Sequence, residues 1–225
     1  MRDIINIAHR GFTRTFPGNT LEAFEAAINL GVDAIECDVQ ETIDHRFVVI
    51  HDPALSGKDI ARLPLAQVGK EKIAGKFKIP TLEETLDLCR KRVKLVVELK
   101  EVQSVDRFCA VLTPRAQPHD TVLASFSRGL LSKLSRQAPE MRRAVIIDHP
   151  VRNPLGLVKP AKSDIIALRF AFATAELVDK VHAGNLSIFV WGCAGPEEVR
   201  SALTLDIDGI TSDYPDLVMK ELHKR

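Results

Sequence analysis

The stretch Ala34-Ile35-Glu36-Cys37-Asp38 is a short apolar run that ends in two acidic residues. Side chains alternate between the two faces of a β-strand, so Glu36 and Asp38 share one face while Ile35 and Cys37 share the other. Short runs of the same kind, rich in valine and isoleucine, recur along the chain and alternate with segments that carry helix signals. This alternation predicts βαβ units and an α/β fold with a parallel sheet.

Nine apolar runs are candidate strands, one more than an eight-stranded barrel needs. They are 4–8, 33–38, 47–50, 93–99, 121–125, 143–147, 164–168, 187–191 and 207–211. A crossover between parallel strands takes about a dozen residues or more, but only residues 39–46 separate the second run from the third. Asp44-His45-Arg46 has the character of a turn. We therefore predict that 47–51 folds back beside the second strand.

Helix signals fill the gaps between the runs. Asn19 followed by Glu22 is typical of a capped helix start, and Gly31 is a suitable stop. Thr81 begins a second start of the same kind. Pro196 marks a third, with the proline at the first helical position. These signals predict helices between successive strands, as a (β/α) barrel requires.

Length and charge narrow the functional classes. A (β/α) barrel can use all 225 residues as one domain. The chain has 31 lysines and arginines against 30 aspartates and glutamates, so its net charge is close to zero. A broad electrostatic footprint for nucleic acid or for an anionic membrane is therefore not expected, although a local site for one phosphate is compatible with this balance.

Cysteine spacing and hydropathy indicate the compartment. No run approaches the roughly twenty apolar residues of a membrane span, and no segment typical of a signal peptide precedes the first candidate strand. We therefore predict a cytoplasmic protein without stable membrane insertion. The cysteines are widely spaced without a C-x-x-C pair, which predicts reduced thiols rather than disulfides or a zinc site. They are Cys37, Cys89, Cys109 and Cys193.

Two strands end in charged pairs that can build a site. Glu36 and Asp38 share a face of one strand, and Glu98 and Lys100 share a face of another. Carboxylate oxygens suit hard cations such as Mg²⁺ and Ca²⁺, and a lysine ammonium suits a phosphate oxygen. Active sites of barrels lie at the C-terminal ends of the strands. The alternatives are two solvated carboxylates and a surface ion pair.

Two histidines also end apolar runs. His9 is followed by Arg10, and His51 by Asp52. An imidazole can accept or donate a proton near neutral pH, so two of them suggest one general acid and one general base. A guanidinium fork suits phosphate oxygens. Trp191, the single tryptophan, ends a later strand and can line the mouth of a barrel. Helix caps or core positions are the alternatives for the histidines, and burial in the core is the alternative for the tryptophan.

In this order and approximate spacing, the motifs resemble those of the glycerophosphodiester phosphodiesterase family. The resemblance implies a TIM (β/α)8 barrel that forms a single domain over 1–225, with a small insert at 39–80 after the second strand. The motifs are His9-Arg10-Gly11, Pro17-Gly18-Asn19-Thr20, Glu36-Cys37-Asp38, His51-Asp52, Glu98-Leu99-Lys100, Trp191 and Thr211-Ser212-Asp213-Tyr214-Pro215.

The resemblance also implies a mechanism. A divalent cation, Mg²⁺ or Ca²⁺, is expected on the three acidic residues that match the family's ligands. An acid–base pair of histidines, and a basic pair on the phosphate, are implied for hydrolysis of a glycerophosphodiester to glycerol 3-phosphate and an alcohol. The implied metal ligands are Glu36, Asp38 and Glu98, the acid–base pair His9 and His51, and the substrate-binding residues Arg10, Lys100 and Trp191.

The chain departs from the family pattern at the expected rim of the site. Gly18 stands where glutamate is usual, Gly192-Cys193 follow Trp191 where Val-Asn is usual, and the stretch after His51-Asp52 lacks the common Arg-Thr-Thr. The expected metal and histidine positions are intact. We therefore expect the chemistry to be kept, while the substrate range is left open.

Two other functions fit the same residues. One is a lysophospholipase D-type phosphodiesterase, which an exposed apolar surface at the barrel mouth would favour. The other is a non-catalytic barrel that binds a phosphorylated ligand. A small-molecule partner is expected in all three cases, and the leaving alcohol, the choice of metal and the oligomeric state are left open by the sequence.

Overall fold

The computed structural model describes residues 3–224, which form thirteen strands and nine α-helices. The strands are β1 (Ile5–His9), β2 (Ala34–Glu41), β3 (Phe47–Val49), β4 (Ala54–Leu55), β5 (Lys58–Asp59), β6 (Lys72–Ile73), β7 (Phe77–Lys78), β8 (Lys94–Leu99), β9 (Thr121–Ser125), β10 (Arg142–Ile147), β11 (Ile165–Arg169), β12 (Ser187–Trp191) and β13 (Gly209–Ser212). The helices are α1 (Leu21–Leu30), α2 (Leu65–Val68), α3 (Leu82–Cys89), α4 (Val105–Leu112), α5 (Arg128–Gln137), α6 (Pro154–Ala161), α7 (Ala175–Ala183), α8 (Pro196–Leu203) and α9 (Pro215–Leu222).

Eight of the strands form a closed parallel barrel. The order is β1, β2, β8, β9, β10, β11, β12 and β13, and β13 pairs with β1 to close the ring. At least one helix follows each strand around this ring. The predicted TIM barrel is confirmed, and parallel closure places the C-terminal ends of all eight strands at one mouth.

The ninth candidate strand lies outside the barrel, as its short connection predicted. β3 pairs antiparallel with the end of β2, and Val39 lies opposite Val49. β2 itself continues to Glu41, three residues past the predicted end at Asp38. The extension gives β3 its partner and carries His51 to the barrel mouth.

Residues 50–80 follow as a compact excursion. It contains two short hairpins, β4–β5 and β6–β7, together with α2. A small apolar cluster lies beneath it: Val48, Ile50, Ile60, Leu63, Val68 and Ile79. The boundaries of a single domain over 1–225 with an insert at 39–80 stay a prediction, and residues 1, 2 and 225 lie outside the described part of the chain.

Helix ends agree with most of the sequence signals. Thr81 caps α3 in a capping box, Gly31 ends α1 in the left-handed conformation, and Pro196 begins α8. The expected cap at Asn19 is wrong. Thr20 caps α1 instead, by accepting a hydrogen bond from the backbone N–H of residue 23, which leaves the Asn19 side chain free for another contact.

The main core lies between the barrel and its helices. Outward-facing strand residues such as Ile35, Val97 and Ile188 pack against helix residues such as Phe24 and Phe108. The four cysteines are buried and unpaired, as their spacing predicted. Each helix within residues 3–224 is too short or too polar to span a bilayer. Rigid packing on both sides of the strands positions the residues at their ends.

Candidate active site

Strand register brings the predicted residues together at the barrel mouth. His9 at the end of β1 lies opposite Glu36 on β2, and Asp38 on β2 lies opposite Glu98 on β8. Neighbouring strands are about 4.8 Å apart. Groups separated by many residues in the chain therefore converge on one small volume.

The three acidic residues form a cluster. Glu36, Asp38 and Glu98 each offer an oxygen, and these oxygens all lie within 4.8 Å of one another. Glu36 is only 6% exposed and Asp38 only 1%. Burial, together with the neighbouring Asp38 and Glu98 charges, raises the pKa of Glu36 well above its ordinary value. Burial likewise raises the pKa of Glu98. Burial and the neighbouring carboxylates thus oppose ionisation of Glu36 and Glu98 at this site.

Two cations face the cluster. Lys100 Nζ lies 2.8 Å from Asp38 Oδ1 and also contacts Glu98, while Arg10 Nε lies 3.0 Å from Asp38 Oδ2. Burial alone opposes ionisation of Asp38, but the Lys100 and Arg10 charges outweigh it and lower the pKa of that carboxyl. Asp38 is therefore an ionised carboxylate between two basic groups.

The residues present fit a hard divalent cation. Glu36 Oε1 is buried and lacks a hydrogen-bond partner among the described residues. A buried, unpaired carboxylate oxygen is costly unless something positive compensates it. All three donors in the cluster are carboxylates, the ligand type that Mg²⁺ and Ca²⁺ prefer.

His9 is tied to a residue at the far end of the chain. Its Nδ1 lies 2.7 Å from Asp213 Oδ1, and its Nε2 lies 3.9 Å from Glu36 Oε2. The hydrogen bond with His9 lowers the pKa of Asp213, despite partial burial. The ring is thus oriented with Nδ1 on the carboxylate and Nε2 toward the acidic cluster.

His51 reaches the same cavity from the loop after β3. Its ring is half-exposed, and its Nδ1 lies 2.9 Å from Oδ1 of Asp52. His9 and His51 line one cavity together with Lys100. The two histidines predicted as an acid–base pair therefore face a common space, and their roles stay a prediction.

The cavity has a volume of about 330 Å³ and two unlike halves. The charged groups lie on the side of β1, β2 and β8, whereas β9 to β12 contribute mainly apolar side chains. Trp191 donates from Nε1 to the Ala167 carbonyl at 3.1 Å, and its ring meets that of Phe126 edge to face. The apolar lining consists of Val96, Ala124, Phe126, Ala144, Ile146, Ala167, Phe189 and Trp191.

Comparison with known proteins places the chain in a family. The model of the glycerophosphoryl diester phosphodiesterase family matches residues 9–217. This chain belongs to that family. A glycerophosphodiester phosphodiesterase from Bacillus altitudinis is 31% identical over 234 residues, which cover 95% of this chain and 96% of that protein. The predicted family and enzyme class are therefore confirmed.

Solved structures agree with this phosphodiesterase family assignment. A glycerophosphodiester phosphodiesterase from Agrobacterium tumefaciens has a TM-score of 0.84 at 26% identity, and the match covers 97% of this chain and 99% of that one. A phosphodiesterase from Oleispira antarctica, in complex with the product sn-glycerol-3-phosphate, has a TM-score of 0.90 at 20% identity. That match covers 99% of this chain and 97% of that one, and it supports the fold.

In this family member, Asn19 is a site residue, although its sequence context predicted a helix cap. Its side-chain N–H donates to Asp38 Oδ2 at 2.8 Å, and its Oδ1 accepts from the Asp38 backbone N–H at 3.2 Å. Its backbone N–H donates to the Arg10 carbonyl. Both Asn19 and Arg10 adopt a positive φ. The pair of contacts fixes Asp38, and the only available signal was the position of Asn19 inside Pro17-Gly18-Asn19-Thr20.

Gly18, a departure of this phosphodiesterase from the family pattern, packs closely against Arg10 and Thr13. A Cβ at this position would lie 2.9 Å from the Arg10 Cβ and 3.1 Å from Thr13 Cγ2. A residue with a Cβ at this position therefore requires a local shift of the chain around Gly18, Arg10 or Thr13.

Proposed function

We propose that the protein hydrolyses glycerophosphodiesters to glycerol 3-phosphate and an alcohol, with His9 and His51 as the acid–base pair. The observation that carries this proposal is one cavity lined by two histidines, two basic side chains and two members of the acidic cluster, Glu36 and Glu98. Glycerol 3-phosphate in the Oleispira antarctica relative supports the same product for this chain.

Arg10 and Lys100 bind the phosphate in this proposal. Their positive groups contact Asp38 and line the cavity just past the ends of β1 and β8, the two strands that pair with β2. A phosphate oxygen that approaches from the cavity meets both charges at once. Such preorganised charge stabilises the negative charge that develops on the phosphorus oxygens in the transition state.

The histidines move the protons. With Nδ1 held by Asp213, His9 presents Nε2 to the cavity, and His51 presents its ring from the other side. One of them removes a proton from the nucleophile, which is water or the glycerol 2-hydroxyl. The other protonates the oxygen of the leaving alcohol. Proton transfer of this kind contributes about 10²–10⁴-fold to a rate.

Glu36, Asp38 and Glu98 hold a divalent cation, Mg²⁺ or Ca²⁺, in this proposal. When bound, such a cation polarises a phosphate oxygen and neutralises developing charge. The unpaired Glu36 oxygen supports this assignment. Asn19 contributes by holding Asp38 in a fixed orientation through both its side-chain amide groups.

The test is release of glycerol 3-phosphate from glycerophosphoethanolamine and from glycerophosphocholine. Each substrate is incubated with Mg²⁺, with Ca²⁺ and with EDTA. Metal-dependent release supports the proposal. Folded protein that releases nothing with either metal, but binds glycerol 3-phosphate, would instead be a non-catalytic barrel for a phosphorylated ligand.

A lysophospholipase D-type activity is the second candidate, and the apolar half of the cavity favours it. Phe126 is 47% exposed at the mouth, and its ring continues the apolar wall that Trp191 begins. The indole N–H of Trp191 is occupied by a backbone carbonyl, so this wall suits an alkyl chain better than a hydroxyl. Turnover of lysophosphatidylcholine well above that of glycerophosphocholine would select this candidate.

A further inference from the structure

Gln40 lies on the extension of β2 and is buried beside the site, with only 7% of its surface exposed. It follows Glu36 and Asp38 at two-residue spacing, so the three side chains share one face of the strand. A buried polar side chain on this face requires hydrogen-bond partners. Its partners determine what it does.

The Gln40 amide contacts three successive carbonyl groups of the His51 loop. Its Nε2 lies 3.2 Å from the Ile50 oxygen, 2.9 Å from the His51 oxygen and 2.7 Å from the Asp52 oxygen. Three carbonyls that converge on one nitrogen require the loop to curl around it. The amide therefore specifies the path of the backbone on both sides of His51.

Two other hydrogen bonds of this loop constrain the position of His51 less directly. The His51 ring hydrogen-bonds to Asp52, which belongs to the same loop and moves with it. The backbone N–H of Ile50 donates to the Asp38 carbonyl at 2.9 Å, and this bond anchors only the entry to the loop. Beyond that point, Gln40 links the backbone of His51 to the barrel.

We propose that Gln40 is a positioning residue that holds His51 over the acidic cluster. The proposal rests on the proposed function, because it gives His51 a part in proton transfer. Gln40 is 10, 11 and 12 positions away from the carbonyls it binds. It joins a rigid barrel strand to a loop residue, and a displacement of about 1 Å at such a residue can cost roughly 10²-fold in rate.

The experiment is a double-mutant cycle with Gln40→Met and His51→Ala, read with glycerophosphocholine and Mg²⁺. Methionine keeps the length of the side chain and removes both donors. We expect kcat to fall at least about 10-fold in Gln40→Met, with KM within about twofold because the phosphate-binding residues are unchanged. In the His51→Ala background, Gln40→Met should have no further effect, since a residue that acts through His51 loses its influence with it.

Gln137→Met is the matched control, because Gln137 is exposed on α5 and lies outside the site. If Gln40→Met does not fold, Gln40→Asn replaces it and withdraws the amide by one methylene. Wild-type kcat in Gln40→Met, or an undiminished effect in the His51→Ala background, would overturn the proposal. Full activity of His51→Ala would instead reject the proposed role of His51, and the positioning role with it.

A second readout is independent of turnover. The ¹H–¹⁵N signals of the His51 ring, assigned by their absence in His51→Ala, should shift in Gln40→Met and remain in place in Gln137→Met. Unchanged signals in a folded Gln40→Met protein would overturn the proposal even if the wild type released no product.

Discussion

Nδ1 of His9 lies 2.7 Å from Oδ1 of Asp213, although 204 positions separate the two residues in the chain. The contact exists because β13 pairs with β1 and closes the barrel. Asp213 follows β13 directly, at the same mouth that His9 reaches from β1. The strand pairing that completes the fold therefore also orients a histidine of the candidate site.

Replacement of Asp213 by asparagine should lower turnover. An amide oxygen is a weaker acceptor than a carboxylate and does not stabilise the positively charged ring, so we expect kcat to fall about 10- to 10³-fold. Stability should change little, since the Asp213 side chain is half-exposed. Steady-state kinetics beside Asp87→Asn, a change on the exposed surface of α3, checks this. Equal rates for the two variants would contradict a role for Asp213 in orienting His9.

Removal of either histidine ring should abolish most of the activity without unfolding the protein. His9→Ala and His51→Ala are expected to lose about 10²–10⁴-fold in kcat, the usual contribution of general acid–base catalysis. Circular dichroism and thermal melting establish that the fold is kept. His223→Ala, at the exposed end of α9, is the control. Near-wild-type turnover in either active-site variant would remove that histidine from the mechanism.

Loss of one carboxylate from the cluster should weaken metal dependence. In Glu36→Gln, the concentration of Mg²⁺ needed for half-maximal turnover should rise at least about 10-fold, since even an outer-shell partner of a metal can contribute that much. The measurement is a titration of the EDTA-treated enzyme with Mg²⁺ and, separately, with Ca²⁺. An unaltered titration curve would place the cation elsewhere.

Glu36 should also make the metal-free protein sensitive to pH. Its pKa is raised above 4.5 in the folded state, so folding favours the protonated form. Its stabilising contribution is complete below the unfolded-state pKa and is lost as pH rises through the folded pKa. In EDTA, the melting temperature of the wild type should therefore decrease more than that of Glu36→Gln as the pH is raised from 4.5. Parallel melting curves for the two proteins would contradict this.

Truncation of Phe126 should separate the two substrate classes. If an alkyl chain packs on its exposed ring, Phe126→Ala weakens the binding free energy of that chain by about 1.4 kcal/mol, which is roughly tenfold in affinity. KM for lysophosphatidylcholine should then rise about tenfold, while KM for glycerophosphocholine stays nearly constant. Equal changes for both substrates would show that the ring serves the glycerol or phosphate end, and would weaken the lipid alternative.

Local sequence patterns determined much of the fold. Each of the nine apolar runs forms a strand in the structure. A short run rich in valine and isoleucine is a local signal that needs only a few neighbouring residues. The capping box at Thr81 and the proline at the start of α8 likewise involve residues that are close together in the sequence. The short connection before β3 excluded a parallel crossover, so even the fold-back beside β2 was predictable.

The sequence by itself also determined which side chains share a strand face, and so it predicted the pairs Glu36 with Asp38 and Glu98 with Lys100. Only the tertiary structure decided which pairs meet across strands and which distant groups hold them. Asn19 was expected to cap a helix, but it binds Asp38, and the partnership of His9 with Asp213 depends on barrel closure. These contacts depend on strand register and closure, and the spacing of residues along the chain does not encode either.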